Sequence, residues 1–110
     1  MSLRDEIIDL LNDPDLDYIS LEYNLSNGTD SDLINIDRDT DGAFIMCFNQ
    51  HINGNFIDDV KPPLTGLTID DIMEYLDDNP RNYSFLQAEF LPRSSKQIIQ
   101  RGIHPEKRRR

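Results

Sequence analysis

Five carboxylates, Asp70, Asp71, Glu74, Asp77 and Asp78, crowd a short segment that holds no lysine or arginine. At spacings of i, i+4, i+7 and i+8, residues 70, 74, 77 and 78 form one stripe of a helix. Each like-charge i,i+4 contact costs about 0.2–0.5 kcal/mol. Asp70 and Asp71 suit the positive N-terminal end of the helix dipole, whereas Asp77 and Asp78 oppose the other end at about 0.3–1 kcal/mol each. Such carboxylates are too numerous to nominate one acid and one base. Their chemistry is electrostatic: an ordered row of negative points can stand in for nucleic-acid phosphates and engage the Arg and Lys of a nucleic-acid-binding surface. The bland alternative is a solvated helix face, but a face selected only to stay wet normally mixes signs. The first helix and its following loop add Asp5, Glu6, Asp9, Asp13, Asp15 and Asp17. The partner-binding candidates are therefore Asp70, Asp71, Glu74, Asp77 and Asp78 with Asp5, Asp9 and Asp13.

Other residue types offer less. Asp37-Arg38-Asp39-Thr40-Asp41-Gly42 imitates the opening of a calcium loop, but Phe48 stands where an EF-hand needs a bidentate Glu. An acidic hairpin turn is the better reading, with Asp37, Asp39 and Asp41 as weak metal candidates. Cys47 lies in an apolar run and reads as a buried structural thiol rather than a nucleophile. His51 and His104 are far apart and, with one cysteine, make no zinc set. No phosphate-cradling glycine loop or nucleophile elbow is visible. The expectation is a protein without cofactor that binds rather than catalyses.

Charge is divided along the chain. Residues 1 to 92 hold 20 Asp and Glu against Arg4, Arg38, Lys61 and Arg81, whereas the remainder holds Arg93, Lys96, Arg101, Lys107, Arg108, Arg109 and Arg110 against Glu106. The formal net charge of −10 conceals both blocks. These seven cations are candidates for contact with nucleic acid or for folding back onto the acidic body, of the same molecule or of a neighbour. The tail has no aromatic residue for base stacking, and the attached body repels phosphate. Whole-proteome salt adaptation also fits the excess of Asp over Glu. In size, acidity and expected helix-plus-antiparallel-sheet organisation, residues 1 to 92 resemble phage-encoded nucleic-acid mimics and anti-defence inhibitors. That resemblance is compositional and carries over no individual residues.

The elements that must position these groups follow from periodicity. Leu3, Ile7, Leu10 and Leu11 share one helical face behind a capping-box-like Ser2-Leu3-Arg4-Asp5, and Asp13-Pro14 ends the helix. Residues 18 to 25 alternate as a half-buried strand. Asn27-Gly28, Asp41-Gly42 and Asn53-Gly54 mark hairpin turns, predicting further strands at 33 to 38 and 43 to 49 and a short edge strand at Phe56-Ile57. The run 43 to 48 is apolar on both faces, predicting a central strand covered by helix on one side. Lys61 to Gly66, with Pro62 and Pro63, reads as an irregular extended connection. Thr68-Ile69-Asp70-Asp71 opens the acidic helix, with Ile69, Ile72, Met73 and Leu76 as its core stripe and Asn79-Pro80 as its end. Tyr83 to Leu91 is a last strand, and Ile98, Ile99 and Ile103 suggest at most one helical turn.

The expected fold is α+β: an antiparallel β-meander of about four strands with one or two amphipathic helices on one face. Residues 1 to 92 would form one acidic domain, and 93 to 110 a flexible basic tail, largely extended or disordered. No apolar run reaches the length of a membrane span, and the first residues lack a signal-peptide core, so a cytoplasmic location is expected, in the host cell if the chain is phage-encoded. The expected function is inhibition or regulation of a partner through its basic, nucleic-acid-binding surface. Two alternatives belong to other classes: a nucleic-acid-associated or virion structural protein working through the Arg-rich tail, and an acidic chaperone or immunity protein for a basic effector. Homo-oligomerisation stays open, and no membrane partner is expected.

Overall fold

The structure, a computed structural model, describes residues 2–25 and 27–103. In chain order it contains α1 (Leu3–Leu11), β1 (Leu16–Asn24), β2 (Ser31–Arg38), β3 (Phe44–Ile52), β4 (Asn55–Leu67), α2 (Ile69–Asp78), β5 (Phe85–Phe90) and β6 (Ile99–Gly102). The strands form one antiparallel sheet in the order β4-β3-β2-β1-β5-β6. β1 to β4 are the expected meander. After α2 the chain returns to the other side of β1.

Both helices start where the sequence places them. Ser2 Oγ accepts from the Asp5 N–H at 3.1 Å, and α1 gives way to Asn12 just before Asp13-Pro14. At α2 the Thr68 hydroxyl accepts from the Asp71 N–H while the Asp71 carboxylate accepts from the Thr68 N–H, a full capping box that satisfies two orphan donors. The hairpin between β3 and β4 turns through Asn53 (φ 52°) and Gly54 (φ 80°). Two consecutive positive φ values are what a tight two-residue hairpin turn demands, and Asn-Gly supplies them at least cost.

Strand alternation sorts the sheet into two faces. Ile19 lies opposite Ile36 and Ala88, and Leu21 opposite Ile34 and Leu86, so apolar side chains stack across β2, β1 and β5 on one face. Phe44, Met46 and Phe48 extend that face across β3. The helices cover it with Ile7, Leu10 and Leu11 from α1 and Ile72, Met73 and Leu76 from α2, completing one hydrophobic core. The other face carries Tyr18, Ser20, Glu22, Asn35, Cys47, His51, Gln87 and Glu89, and neither of the two described helices covers it.

Three expectations need correction. The sheet has six strands rather than about four, and Lys61–Gly66 is not an irregular connection but part of β4. Thirteen residues of β4 run beside nine of β3, and register shifts after Phe44, Met46 and Phe48 absorb the excess. An edge strand tolerates Pro62 and Pro63 because it need not donate on both sides. Ile99 and its neighbours form no helical turn; they add β6 to the open edge of β5, with Ile99 opposite Ala88 and Arg101 opposite Leu86. Ile99 and Ile103 pack against the core from there. His104 and the tail candidates Lys107, Arg108, Arg109 and Arg110 lie outside the described residues.

Arg38, at the end of β2, fastens α1 to the sheet. Its Nε donates to the Leu16 carbonyl at 3.0 Å, and its Nη2 to the carbonyls of Asp13 at 2.8 Å and Leu11 at 3.4 Å. The guanidinium carbon also lies 4.9 Å from the centre of the Phe44 ring. A cation beside the last carbonyls of α1 meets the negative end of its dipole. Arg38→Ala is expected to cost about 2–3 kcal/mol in urea unfolding, and Arg38→Lys to recover only part of it, since an ammonium cannot reproduce the planar fork. A loss under about 0.5 kcal/mol for Arg38→Ala would show that these contacts do not hold the helix.

Candidate interaction surface

α1 and α2 run antiparallel across the same face of the sheet. Arg4, at the start of α1, meets Asp77 near the end of α2, while Asn12 and Thr68, at the opposite ends, line a common groove. The helical period that buries Ile7 and Leu11 turns Asp5 and Asp9 outward, and the period that buries Ile72 and Leu76 does the same for Asp70, Glu74 and Asp78. All five are exposed. None makes a side-chain hydrogen bond or ion pair with another described residue. They form one acidic outer surface on the helical layer.

The remaining carboxylate candidates are engaged inside the molecule. Asp77 accepts two hydrogen bonds from Arg4, at 3.0 and 2.9 Å, the bidentate geometry of a guanidinium on a carboxylate. That pairing, first through its hydrogen bonds, holds the Asp77 carboxyl below the ordinary aspartate value and raises Arg4. Asp71 is used in the capping box, and the Thr68 backbone N–H, ahead of its hydroxyl, lowers its pKa. Asp13 accepts from Lys96 Nζ at 2.5 Å and from the Asp15 N–H at 2.9 Å, and these two contacts in that order lower its pKa. α2 is therefore not without a cation: Arg4 comes from 73 positions away in sequence, beyond the reach of local spacing.

Three of the seven tail cations return to the body. Arg93 pairs with Asp15 at 3.2 Å, Lys96 with Asp13, and Arg101 with Glu6. β6 explains the last contact, because Arg101 stands on the helix-covered face of the sheet while Glu6 lies on the flank of α1 turned towards it. The cations of these pairs are largely exposed, so each pair contributes only modestly to stability. Their main effect is local charge balance.

The acidic hairpin does not gather its aspartates around a common point. Asp39 Oδ1 accepts from the Thr40 N–H and Asp41 Oδ1 from the Ala43 N–H, as turn-forming aspartates do. Asp37 lies on β2 opposite Ile45, and burial, followed by the nearby Asp17 charge, raises its pKa. Among the described residues no group of three or more His, Cys, Asp or Glu is placed to hold a metal ion. Cys47 is half-buried rather than buried, on the uncovered face. Burial and then the charges of Asp37, Asp59 and Asp58 push its thiol pKa up, away from a reactive thiolate. His51 Nδ1 lies 3.4 Å from Glu22 Oε2 on that same face.

The uncovered face is knitted by side chains. Tyr18 donates to Glu89 at 2.5 Å and accepts from Gln87 Nε2 at 2.7 Å, and Gln100 Nε2 on β6 extends the chain to Gln87. Burial, reinforced by Glu89, pushes the Tyr18 phenol up to about 12. Sequence reasoning also passed over a cleft between the end of α2 and β1 to β4, where Lys61 and Arg81 meet Tyr23 and Tyr75. Isolated cations in an acidic stretch give no spacing signal, so only the fold could bring these two together. Among the described residues no helix is long and apolar enough to cross a membrane. No protein-family model, curated protein or solved structure matches the chain.

The internal ion pairs carry a defined pH dependence. A carboxyl whose pKa is lowered in the folded state stabilises the fold above the ordinary aspartate value of 3.8, and that contribution is lost as pH falls through the lowered value. Carbon-detected NMR titration should place Asp13 and Asp77 below the ordinary aspartate value. Lys96→Gln should raise Asp13 only in part, because the Asp15 N–H remains, and Arg4→Gln should raise Asp77. Titration curves unmoved by either substitution would show that these pairs do not lower the two carboxyl pKa values.

Proposed function

We propose that this protein is a binding protein whose acidic helical surface occupies a basic, nucleic-acid-binding surface of a partner protein and thereby inhibits or regulates it. The observation that carries the reading is the separation of carboxylates into two sets. Asp13, Asp71 and Asp77 are committed to internal partners, whereas Asp5, Asp9, Asp70, Glu74 and Asp78 stand exposed on two adjacent antiparallel helices. Charges left on a shared rigid surface can accelerate encounter with a cationic partner and select against anionic ones. The engagement of Arg93, Lys96 and Arg101 by the body also favours the acidic surface over the tail as the working part.

The triple substitution Asp70→Asn, Glu74→Gln and Asp78→Asn should keep the midpoint of thermal unfolding or raise it, because it relieves repulsion within α2. In affinity capture from the native source, the wild-type chain should recover basic proteins at low salt and lose them at high salt, while the triple variant recovers at least tenfold less at low salt. Equal recovery by both chains, or recovery insensitive to salt, would reject the proposal. Asp77→Asn is the contrasting control: it should lower the unfolding midpoint without matching the loss of partner.

A further inference from the structure

Lys61 and Arg81 differ from every other described cation in this chain. Arg4, Arg93, Lys96 and Arg101 each pair with a carboxylate, and Arg38 is taken up by backbone carbonyls. Lys61 and Arg81 make no ion pair with a described residue, although the chain carries a net charge of −10. Both line one small cleft of about 80 Å³ between the C-terminal end of α2 and strands β1, β2, β3 and β4. Aromatic rings hold them there. Lys61 Nζ lies 4.3 Å from the centre of the Phe48 ring and 3.3 Å from the Tyr75 hydroxyl, and the Arg81 guanidinium carbon lies 5.4 Å from the centre of the Tyr23 ring.

Those contacts orient the cations without exhausting them. A ring face takes up no N–H, so Lys61 keeps donors beyond its contact with Tyr75, and Arg81, which contacts the Tyr23 hydroxyl and whose Nη1 donates to the Pro80 carbonyl at 3.0 Å, keeps further donors of its fork. Asp32 is the carboxylate in the cleft. Its oxygens accept from the Tyr23 hydroxyl at 2.8 Å and from Gln50 Nε2 at 2.7 Å instead of from either cation. A fork and a point charge with open donors, set on aromatic walls, suit a tetrahedral oxyanion better than a planar carboxylate, which a guanidinium satisfies alone.

We propose that this cleft binds a small phosphate monoester or inorganic phosphate, with Arg81 and Lys61 as the phosphate-holding residues. The site is separate from the acidic outer surface of the helices and does not depend on what that surface binds. Elsewhere the molecule repels anions, so phosphate bound here would be held by local contacts rather than by the field of the whole chain. Asp32 sets the opposing charge.

The test is a ¹H–¹⁵N NMR titration of the full chain with inorganic phosphate and with glycerol 3-phosphate, ionic strength being held constant with chloride. Saturable shifts are expected at Val60, Tyr75 and Asn79, and none on the outer surface at Asp5 and Asp9. Lys61→Gln and Arg81→Gln should each weaken binding about tenfold, while Asp32→Asn should tighten it. Saturation by glycerol 3-phosphate alone would assign the site to esters, and saturation by both ligands to the phosphate group itself. Absence of saturable shifts with either ligand, or affinity unchanged in both cation variants while their spectra stay dispersed, would overturn the proposal.

Discussion

A single guanidinium sets the relation between the two layers. Arg38 ends β2, yet its donors reach three carbonyls spread over the end of α1 and the start of β1. Those carbonyls belong to the stretch where the chain leaves a helix, passes a proline and enters a strand; the Asp13 carbonyl also accepts from the Leu16 N–H at 3.1 Å, so the guanidinium adds to the local backbone bonding there. With them engaged, the direction of α1 over the sheet is fixed, and α2 can pack beside it through Arg4 and Asp77. The acidic outer surface then has a defined geometry. The carboxylates of α1 would otherwise have no fixed spacing from those of α2.

The charge pattern of the sequence takes on a different meaning in three dimensions. A body with twenty acidic side chains and four basic ones must hold many like charges close together. The fold eases this by importing cations from the two ends of the chain: Arg4 reaches α2, and Arg93, Lys96 and Arg101 reach the loop after α1 and its flank. The pairs are exposed and individually weak, but they are positioned where the acidic loop and helices would repel most. Helix carboxylates that escape pairing are left pointing outward. Internal balance and external display are thus parts of one arrangement.

Much of the fold was legible in the residues. Period-two alternation in 18 to 25, the Asn-Gly turns and the capping box at Thr68 are local signals, and the structure follows each. What could not be read depends on pairing across distance. β4 was hidden because Pro62 and Pro63 signal irregularity unless a neighbouring strand accepts shifts in register, and β6 because its reason for existing is the open edge of β5. In the helical layer the stripe at 70, 74, 77 and 78 was legible, whereas the removal of Asp77 by Arg4 was not. The cleft containing Lys61 and Arg81 had no sequence pattern at all, since its walls come from five separate elements, β1 to β4 and α2.

The irregularity of β4 bears on how the molecule behaves in a crowd. An open sheet has two rims, and each can in principle recruit a strand from another chain. Along β4 the rim is broken by two prolines, by Asp59 at φ 53° and by repeated shifts of register, although Phe56, Ile57, Val60 and Leu64 are exposed there. Its stickiness therefore comes without a straight template for backbone pairing. The other rim, β6, is only four residues long. Sheet-to-sheet polymerisation is obstructed at both ends, by distortion at one and by brevity at the other, which lets an apolar margin coexist with resistance to fibril growth.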